Sequence, residues 1–201
     1  MEYLCFWVTR DSVKPTNRKI EAITNMKPPT LQKEVQKFID VINYYRNVWP
    51  RRAHTLAHLT ILTSIKRKFK WMKVKKDSFG KIKRTVARNT LLNYPGFSET
   101  FKIHINASAF QFGAIISQKG KLITFYSRKL TDAQQRFRVT KRGLISIVET
   151  LKEFRKIILG QRLRIYTDHK NLTCKHFNTN IVLRWRLILE DYGPYIEYIK
   201  G

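Results

Sequence analysis

Residues 101–127, FKIHINASAFQFGAIISQKGKLITFYS, hold the pattern from which the fold can be read. Phe101, Ile103 and Ile105 alternate with Lys102, His104 and Asn106, the period of two that buries one face of a β-strand and leaves the other to solvent. The pattern returns over 113–118 and 122–127, with Lys119-Gly120-Lys121 between them as a tight hairpin turn. Three antiparallel strands are therefore predicted. Beyond them the period becomes 3.6: Leu144, Ile147 or Val148, Leu151, Phe154 or the stem of Arg155, and Ile158 share one stripe of a helix predicted to be capped by Thr140, opened by Gly143 and ended at Gly160. Leu163 to Thr167 reads as a fourth strand, Asn171 to Phe177 as a short helix, Ile181 to Tyr192 as another helix, and Tyr195 to Ile199 as a fifth strand. The order βββαβααβ predicts an α+β or α/β domain over 96–201, with three antiparallel strands, then two parallel ones, flanked by helices.

Working back from Tyr94-Pro95-Gly96, where the period changes, residues 18–95 read as a small helical unit. One helix runs from Leu31 through Val35, Phe38, Ile42 and Tyr45 and stops before Pro50; a second holds Leu56, Leu59 and Leu62; a third spans Asp77 to Ala87. Before them, Tyr3 to Val8 and Val13-Lys14-Pro15 form a hairpin over 1–17 that no upstream strand completes. Between the second and third helices lies a run of cations interleaved with aromatics: Lys66, Arg67, Lys68, Phe69, Lys70, Trp71, Met72, Lys73, Val74, Lys75 and Lys76. Nucleic-acid contact, nuclear localisation, and a solvated turn with Phe69 and Trp71 tucked into the core all stay open.

The chain has 201 residues, 43% hydrophobic and 12% aromatic, enough for one moderate core or two small ones. Forty Lys and Arg against fourteen Asp and Glu give a net charge of +26. Such self-repulsion is best tolerated against a polyanion, so nucleic acid is the expected partner. Arg162, Arg164, Lys170, Arg184 and Arg186 form a second basic group. Cys5 and Cys174 make no CxxC, which argues against a zinc site or a disulfide framework. No apolar run approaches the roughly 20 residues that span a bilayer, and the first residues lack a secretory pattern. An intracellular protein, in cytoplasm or nucleus and without membrane contact, is expected.

HINASAFQFGAIISQKGKLITFYSRKLTDAQQRF, VTKRGLISIVETLKEFRKIILGQRLRIYTDHKNLTCKHFN and RWRLILEDYGPYIEYIKG together resemble the RNase H domain of Ty3/gypsy-type long-terminal-repeat retrotransposon polyproteins. YLCFWVTRDSVKPTNRKIEAITNMKPPT and VQKFIDVINYYRNVWPRRAHTLAHLT resemble the end of the palm and the thumb of the preceding reverse transcriptase. The resemblance implies that 1–17 is a palm remnant, 18–95 a thumb or connection-like unit, and 96–201 an RNase H-like domain truncated at its C-terminus.

It also implies a Mg²⁺-dependent nuclease centre built from acids, and here this chain departs from the pattern. The first acid is replaced by Asn106 in Ile105-Asn106-Ala107-Ser108. The second, at the start of the main helix, is replaced by Gly143. The third survives as Asp168 in Thr167-Asp168-His169, and a fourth lies in a segment beyond the fifth strand that this chain does not contain. Two divalent cations about 4 Å apart repel each other and need several carboxylates to hold them. Asp168 alone is the expected metal ligand, and Mg²⁺ is not expected to bind productively. Glu149 lies six residues past Gly143, a rotation of about 600° away from the site. Asp132 and Asp191 have no motif reason to reach it, and His169 reads as a packing or hydrogen-bonding residue rather than a hard-cation ligand. Loss of a Thr140-x-x-Glu capping box at Gly143 is expected to cost the helix start about 1–2 kcal/mol.

Cys5 stands where the family favours Gly, and Asp11-Ser12 replaces a favoured Asp-Gly. The paired Asp residues of a polymerase palm are absent, which excludes template copying. The sequence thus predicts a nucleic-acid-binding fragment, with RNA/DNA hybrid as ligand and without catalysis. The alternatives are an active RNase H endonuclease acting on the RNA strand, and a silent subunit associated with a full-length reverse transcriptase.

Overall fold

Three short strands open the chain: Glu2–Tyr3 (β1), Phe6–Val8 (β2) and Ser12–Pro15 (β3). The computed structural model describes residues 1–64, 69–88, 90–169 and 180–200. Helices Asn17–Thr24 (α1), Gln32–Tyr44 (α2), Arg52–Thr60 (α3) and Lys73–Ala87 (α4) follow, with a 3₁₀ turn at Ile61–Thr63. Leu92–Asn93 (β4) then pairs with β3, in the register Val13↔Leu92 and Ser12↔Asn93. The opening hairpin, which no upstream strand completes, takes its partner from downstream and belongs to a four-stranded antiparallel sheet, β1-β2-β3-β4. Val35, Phe38 and Ile42 of α2, Leu56 and Leu59 of α3, and Phe79, Ile82 and Val86 of α4 are buried together as the helical core. At about 1.5–3 kcal/mol for each large apolar side chain taken from water, this stripe holds the unit.

The β1–β2 turn is held at unusual cost. Tyr3 pairs with Phe6, so Leu4 and Cys5 are the two turn residues, and both have positive φ, 46° and 65°. Neither is glycine, the residue that takes this conformation without Cβ strain. The C-terminal end of α2 pins the turn: the Tyr44 hydroxyl donates to the Leu4 carbonyl at 2.7 Å, and Phe6 packs edge-on to Tyr45 at 5.1 Å. Burial, reinforced by Cys5, pushes the Tyr45 phenol up to about 12.

The chain forms two compact units, Met1–Tyr94 and Pro95–Gly201. In the second unit Phe101–Ala107 (β5), Gln111–Gln118 (β6) and Lys121–Lys129 (β7) form an antiparallel meander, each strand as long as or longer than predicted. Gln118 pairs with Lys121, leaving Lys119 (φ 48°) and Gly120 (φ 77°) as a two-residue turn. Asp132–Gln135 (α5), Val139–Glu153 (α6) and Arg155–Ile158 (α7) lead to Leu163–Thr167 (β8). Asn180–Tyr192 (α8) and Tyr195–Tyr198 (β9) complete the described part. The sheet order is β7-β6-β5-β8-β9, with β8 parallel to both β5 and β9. This is the predicted five-stranded mixed sheet. The helix expected over Asn171 to Phe177 lies outside the described residues.

Three predictions need correction. Thr140 does not cap the main helix: the helical ladder begins two residues earlier, with Arg142 N donating to Arg138 O, and Arg138 at the cap position makes no capping side-chain bond. Gly143 is therefore an interior residue of α6, and the expected cost of a lost capping box does not apply. A capping box does occur upstream, where Thr131 and Gln134 bond reciprocally at the start of α5. The helix also breaks at Phe154 before resuming as α7, with Gly160 (φ 75°) beyond it. Finally, α4 begins at Lys73 rather than near Asp77, so Lys73, Lys75 and Lys76 are helical residues and not loop.

Candidate active site and basic surface

On β5, Phe101, Ile103 and Ile105 point into the core while Lys102, His104 and Asn106 are exposed, the alternation read from the sequence. On β8, Leu163, Ile165 and Thr167 are buried. The parallel register Ile103↔Ile165 and Ile105↔Thr167 carries the two strands to their carboxyl ends together, so Asn106 on β5 and Asp168, one residue past the end of β8, each follow the last register pair. Carboxyl ends of neighbouring parallel strands are common places for chemistry in open sheets. Gly143 is buried in the second turn of α6, the helix packed against β5 and β6. Sequence and structure thus set Asn106 and Asp168 at the carboxyl ends of adjacent strands, and Gly143 on the helix covering the buried face of β5.

The acid that remains is unusual. Asp168 Oδ1 is buried and has no hydrogen-bond partner, and the same holds for His169 Nε2, 3.7 Å away. The His169 backbone N–H donates to Thr167 Oγ1 at 3.2 Å, which folds the chain back at the strand end. The sequence assigned His169 to packing or hydrogen bonding; the structure leaves its Nε2 facing Asp168 instead. Glu149 does not substitute for a missing acid: it is ion-paired with Arg128 of β7 and lies 3.7 Å from Lys152. Asp132 and Asp191 are exposed in α5 and α8, respectively.

A pair of magnesium ions requires concentrated negative charge. Asp168 supplies one carboxylate, Asn106 a neutral amide and Gly143 nothing, and no group of three or more His, Cys, Asp or Glu among the described residues could hold a metal ion. The donors that are described do not fit two Mg²⁺ ions.

The basic residues divide into several kinds. Lys70 and Lys73 are exposed, and Lys73 with Lys75 and Lys76 occupies a first turn of α4 that contains no acid. Trp71 is half-buried, lies parallel to Phe69 at 6.2 Å and meets core residue Phe79 edge-on at 5.9 Å. The packing role weighed for these aromatics is therefore present. Arg162 donates to the Ser98 carbonyl at 2.6 Å. Arg164 lies 3.7 Å from Glu197 and 5.3 Å over the Tyr195 ring, so it is already engaged across β8 and β9. Arg184 is exposed and Arg186 half-buried on α8. Lys66, Arg67, Lys68 and Lys170 lie outside the described residues.

Residues 96–192 match the family described as the RNase H-like domain found in reverse transcriptase. The second unit is an RNase H-like domain of the reverse-transcriptase type. The whole chain is similar to retrotransposon Pol polyproteins, consistent with a Ty3/gypsy fragment. It is 33% identical, over 96% of its length, to the Retrovirus-related Pol polyprotein from transposon 297 of Drosophila melanogaster. It is 28% identical, over its full length, to the corresponding polyprotein from transposon gypsy of the same organism. The chain spans about a fifth of these relatives, 19% and 21% of their lengths. Among solved structures, the foamy viral protease-reverse transcriptase in complex with RNA/DNA hybrid superposes over the whole chain with TM-score 0.83 at 21% identity, covering 29% of that chain. A related foamy viral structure, in complex with double-stranded DNA, gives TM-score 0.83 and covers 38% of its chain. At this identity the likeness establishes the fold. RNase H-like domains use divalent metals, which makes the donor set at Asn106, Gly143 and Asp168 the point of departure.

Proposed function

We propose that this chain is a retrotransposon-derived reverse transcriptase/RNase H-like fragment that binds RNA/DNA hybrid without hydrolysing it. The observation that carries the proposal is a net charge of +26 on an RNase H-like scaffold whose candidate metal site keeps a single carboxylate, Asp168. The foamy viral neighbour bound to RNA/DNA hybrid supports the choice of ligand. Lys73, Lys75 and Lys76 repel the positive end of α4, a local cost that a phosphate would relieve. Phosphate contacts of this kind read charge and groove shape rather than base sequence. The same proposal places the protein inside the cell, and association with a full-length reverse transcriptase would be compatible with it.

Fluorescence anisotropy with a labelled hybrid tests binding. The logarithm of affinity is expected to fall linearly with the logarithm of salt concentration, and Lys70→Ala with Lys73→Ala to reduce the slope by roughly 1–2. Affinity independent of salt would remove the proposal. A second reading, an active nuclease, draws on one observation: the Oδ1 of Asp168 is buried without a hydrogen-bond partner. RNA-strand cleavage that requires Mg²⁺ and disappears in Asp168→Ala would establish it.

A further inference from the structure

In the first unit, the loop between α1 and α2 walls a cleft that neither the candidate metal site nor the basic first turn of α4 uses. Its volume is about 420 Å³, within the range of sites that hold small organic molecules. Phe38 of α2 and Phe79 of α4, with ring centroids 4.6 Å apart, form the floor together with buried Pro29; half-buried Met26 and exposed Pro28 form a wall. That wall is fixed at both ends. Lys83 Nζ donates to the Met26 carbonyl at 2.9 Å and lies 5.3 Å from the Phe79 ring centroid, which ties the loop to α4. Glu34 accepts the Thr30 N–H at 2.6 Å and the Leu31 N–H at 3.3 Å, which ties it to α2. Pro28 and Pro29 stiffen what lies between. A cavity held open in this way costs little further ordering when it is filled.

The same bonds decide the charge of the cleft. Glu34 is the one acid among its described lining residues, and its carboxylate is committed to the backbone donors at the start of α2. Lys27 and Lys37 also line the cleft, and both are exposed. Proline and phenylalanine rings with a thioether, flanked by two cations, are complementary to a planar apolar ring that carries an anionic group. We propose that the cleft binds a nucleoside phosphate, with the base against Phe38, Phe79 and the proline rings and the phosphate on Lys27 and Lys37. A base loses no rotamer freedom on entering, unlike a flexible aliphatic acid, and its polar edge stays in contact with water at the open side. Contacts to ring faces read stacking rather than base identity. A free nucleotide and an unpaired residue of a nucleic-acid strand offer this chemistry alike. The inference goes beyond hybrid binding through phosphates, and a mononucleotide tests it with no hybrid present.

The full 201-residue chain is titrated by calorimetry with adenosine 5′-monophosphate (AMP), adenosine, inorganic phosphate and benzoate. Saturable binding of one AMP is expected, with each of the other three at least about tenfold weaker. Lys27→Ala combined with Lys37→Ala should bring AMP down to the affinity of adenosine and leave adenosine itself unchanged, a split that a general loss of structure would not give. Met26→Trp, which fills the cleft, should abolish binding of both. Lys33→Ala, which removes an exposed lysine of α2 outside the lining, should change neither. Absence of saturable AMP binding overturns the proposal, as does AMP binding no tighter than that of phosphate or benzoate, or AMP binding that persists in Met26→Trp or depends on Lys33. If Met26→Trp loses its fold by circular dichroism, AMP-induced nuclear magnetic resonance shifts in the unmodified chain decide: shifts centred on Met26, Lys37 and Phe79 support the site, and shifts centred elsewhere overturn it. Displacement of bound AMP by a hybrid with a single-stranded extension, but not by a blunt hybrid, identifies an unpaired strand residue as the ligand, and displacement by neither identifies a free nucleotide. Displacement by the blunt hybrid assigns Lys27 and Lys37 to duplex phosphates and overturns the proposal.

Discussion

Along β5 and β8 the inward-facing Phe101, Ile103, Ile105, Leu163 and Ile165 are all apolar and at most 5% exposed, whereas the carboxyl-terminal rim of the same two strands holds Asn106 and the lone acid Asp168. The two regions are one residue apart and obey different physics. Strand burial depends on apolar area and shape, and the interior of this sheet has kept both. A metal centre depends on the number of charges gathered at one point, and a single change from Asp to Asn removes one without disturbing the strand. A scaffold can therefore outlast its chemistry, because nothing in the core requires the rim acids.

The comparison breaks if the interior is not what holds the sheet. Ile103→Ala is expected to destabilise the second unit by about 3 kcal/mol, measured by urea unfolding, through lost burial and the cavity left behind. A change below about 1 kcal/mol would show that the core is loosely packed.

The two hairpin turns sharpen the contrast with opposite signs. Gly120 occupies φ 77° and Cys5 φ 65°. Gly120→Ala is expected to destabilise by about 1 kcal/mol, and Cys5→Gly to stabilise the first unit by a similar amount, since only glycine enters this region without Cβ strain. Equal signs in thermal unfolding would contradict that account. At the exposed rim, Asn106→Ala is expected to change stability by no more than about 0.5 kcal/mol.

The smallest expected effect is a pH dependence at His104. Although the residue is largely exposed, partial desolvation of the ring, which stacks on Tyr166, holds its imidazole below the ordinary value of 6.5, with the nearby Lys102 charge adding to it. A histidine whose native value is depressed favours folding in its neutral form. Its contribution is thus present above about pH 6.5 and is lost as pH falls through the native value. Comparing urea midpoints of the parent and His104→Gln across that interval should show the parent losing stability more steeply towards acid; identical slopes would contradict the assignment.

Much of the second unit was legible because its signals are local. The alternation from Phe101 to Asn106, the Lys119-Gly120 turn and the stripe Leu144, Val148, Leu151 each follow from one stretch of chain. What escaped depended on distant partners or on signals that conflict. The two-residue strand Leu92–Asn93 acquires its meaning from pairing with Ser12 and Val13, far upstream. The start of α4 was hidden because Lys73, Lys75 and Lys76 oppose the helix dipole, and Thr140 resembled a cap although the ladder starts from Arg138. The partners of Arg164, Glu197 and Tyr195, were not legible because strand register rather than sequence spacing fixes them. The neutral residues at positions 106 and 143 were legible in the sequence itself. The facing of His169 Nε2 towards Asp168 was not, since adjacency in sequence does not fix side-chain direction.

The most direct test of the account is cleavage of the RNA strand of an RNA/DNA hybrid by the unmodified chain in millimolar Mg²⁺, with Asp168→Ala in parallel. Product at the level of the protein-free blank for both proteins is the expected result. Mg²⁺-dependent cleavage by the unmodified chain that vanishes in Asp168→Ala would contradict it.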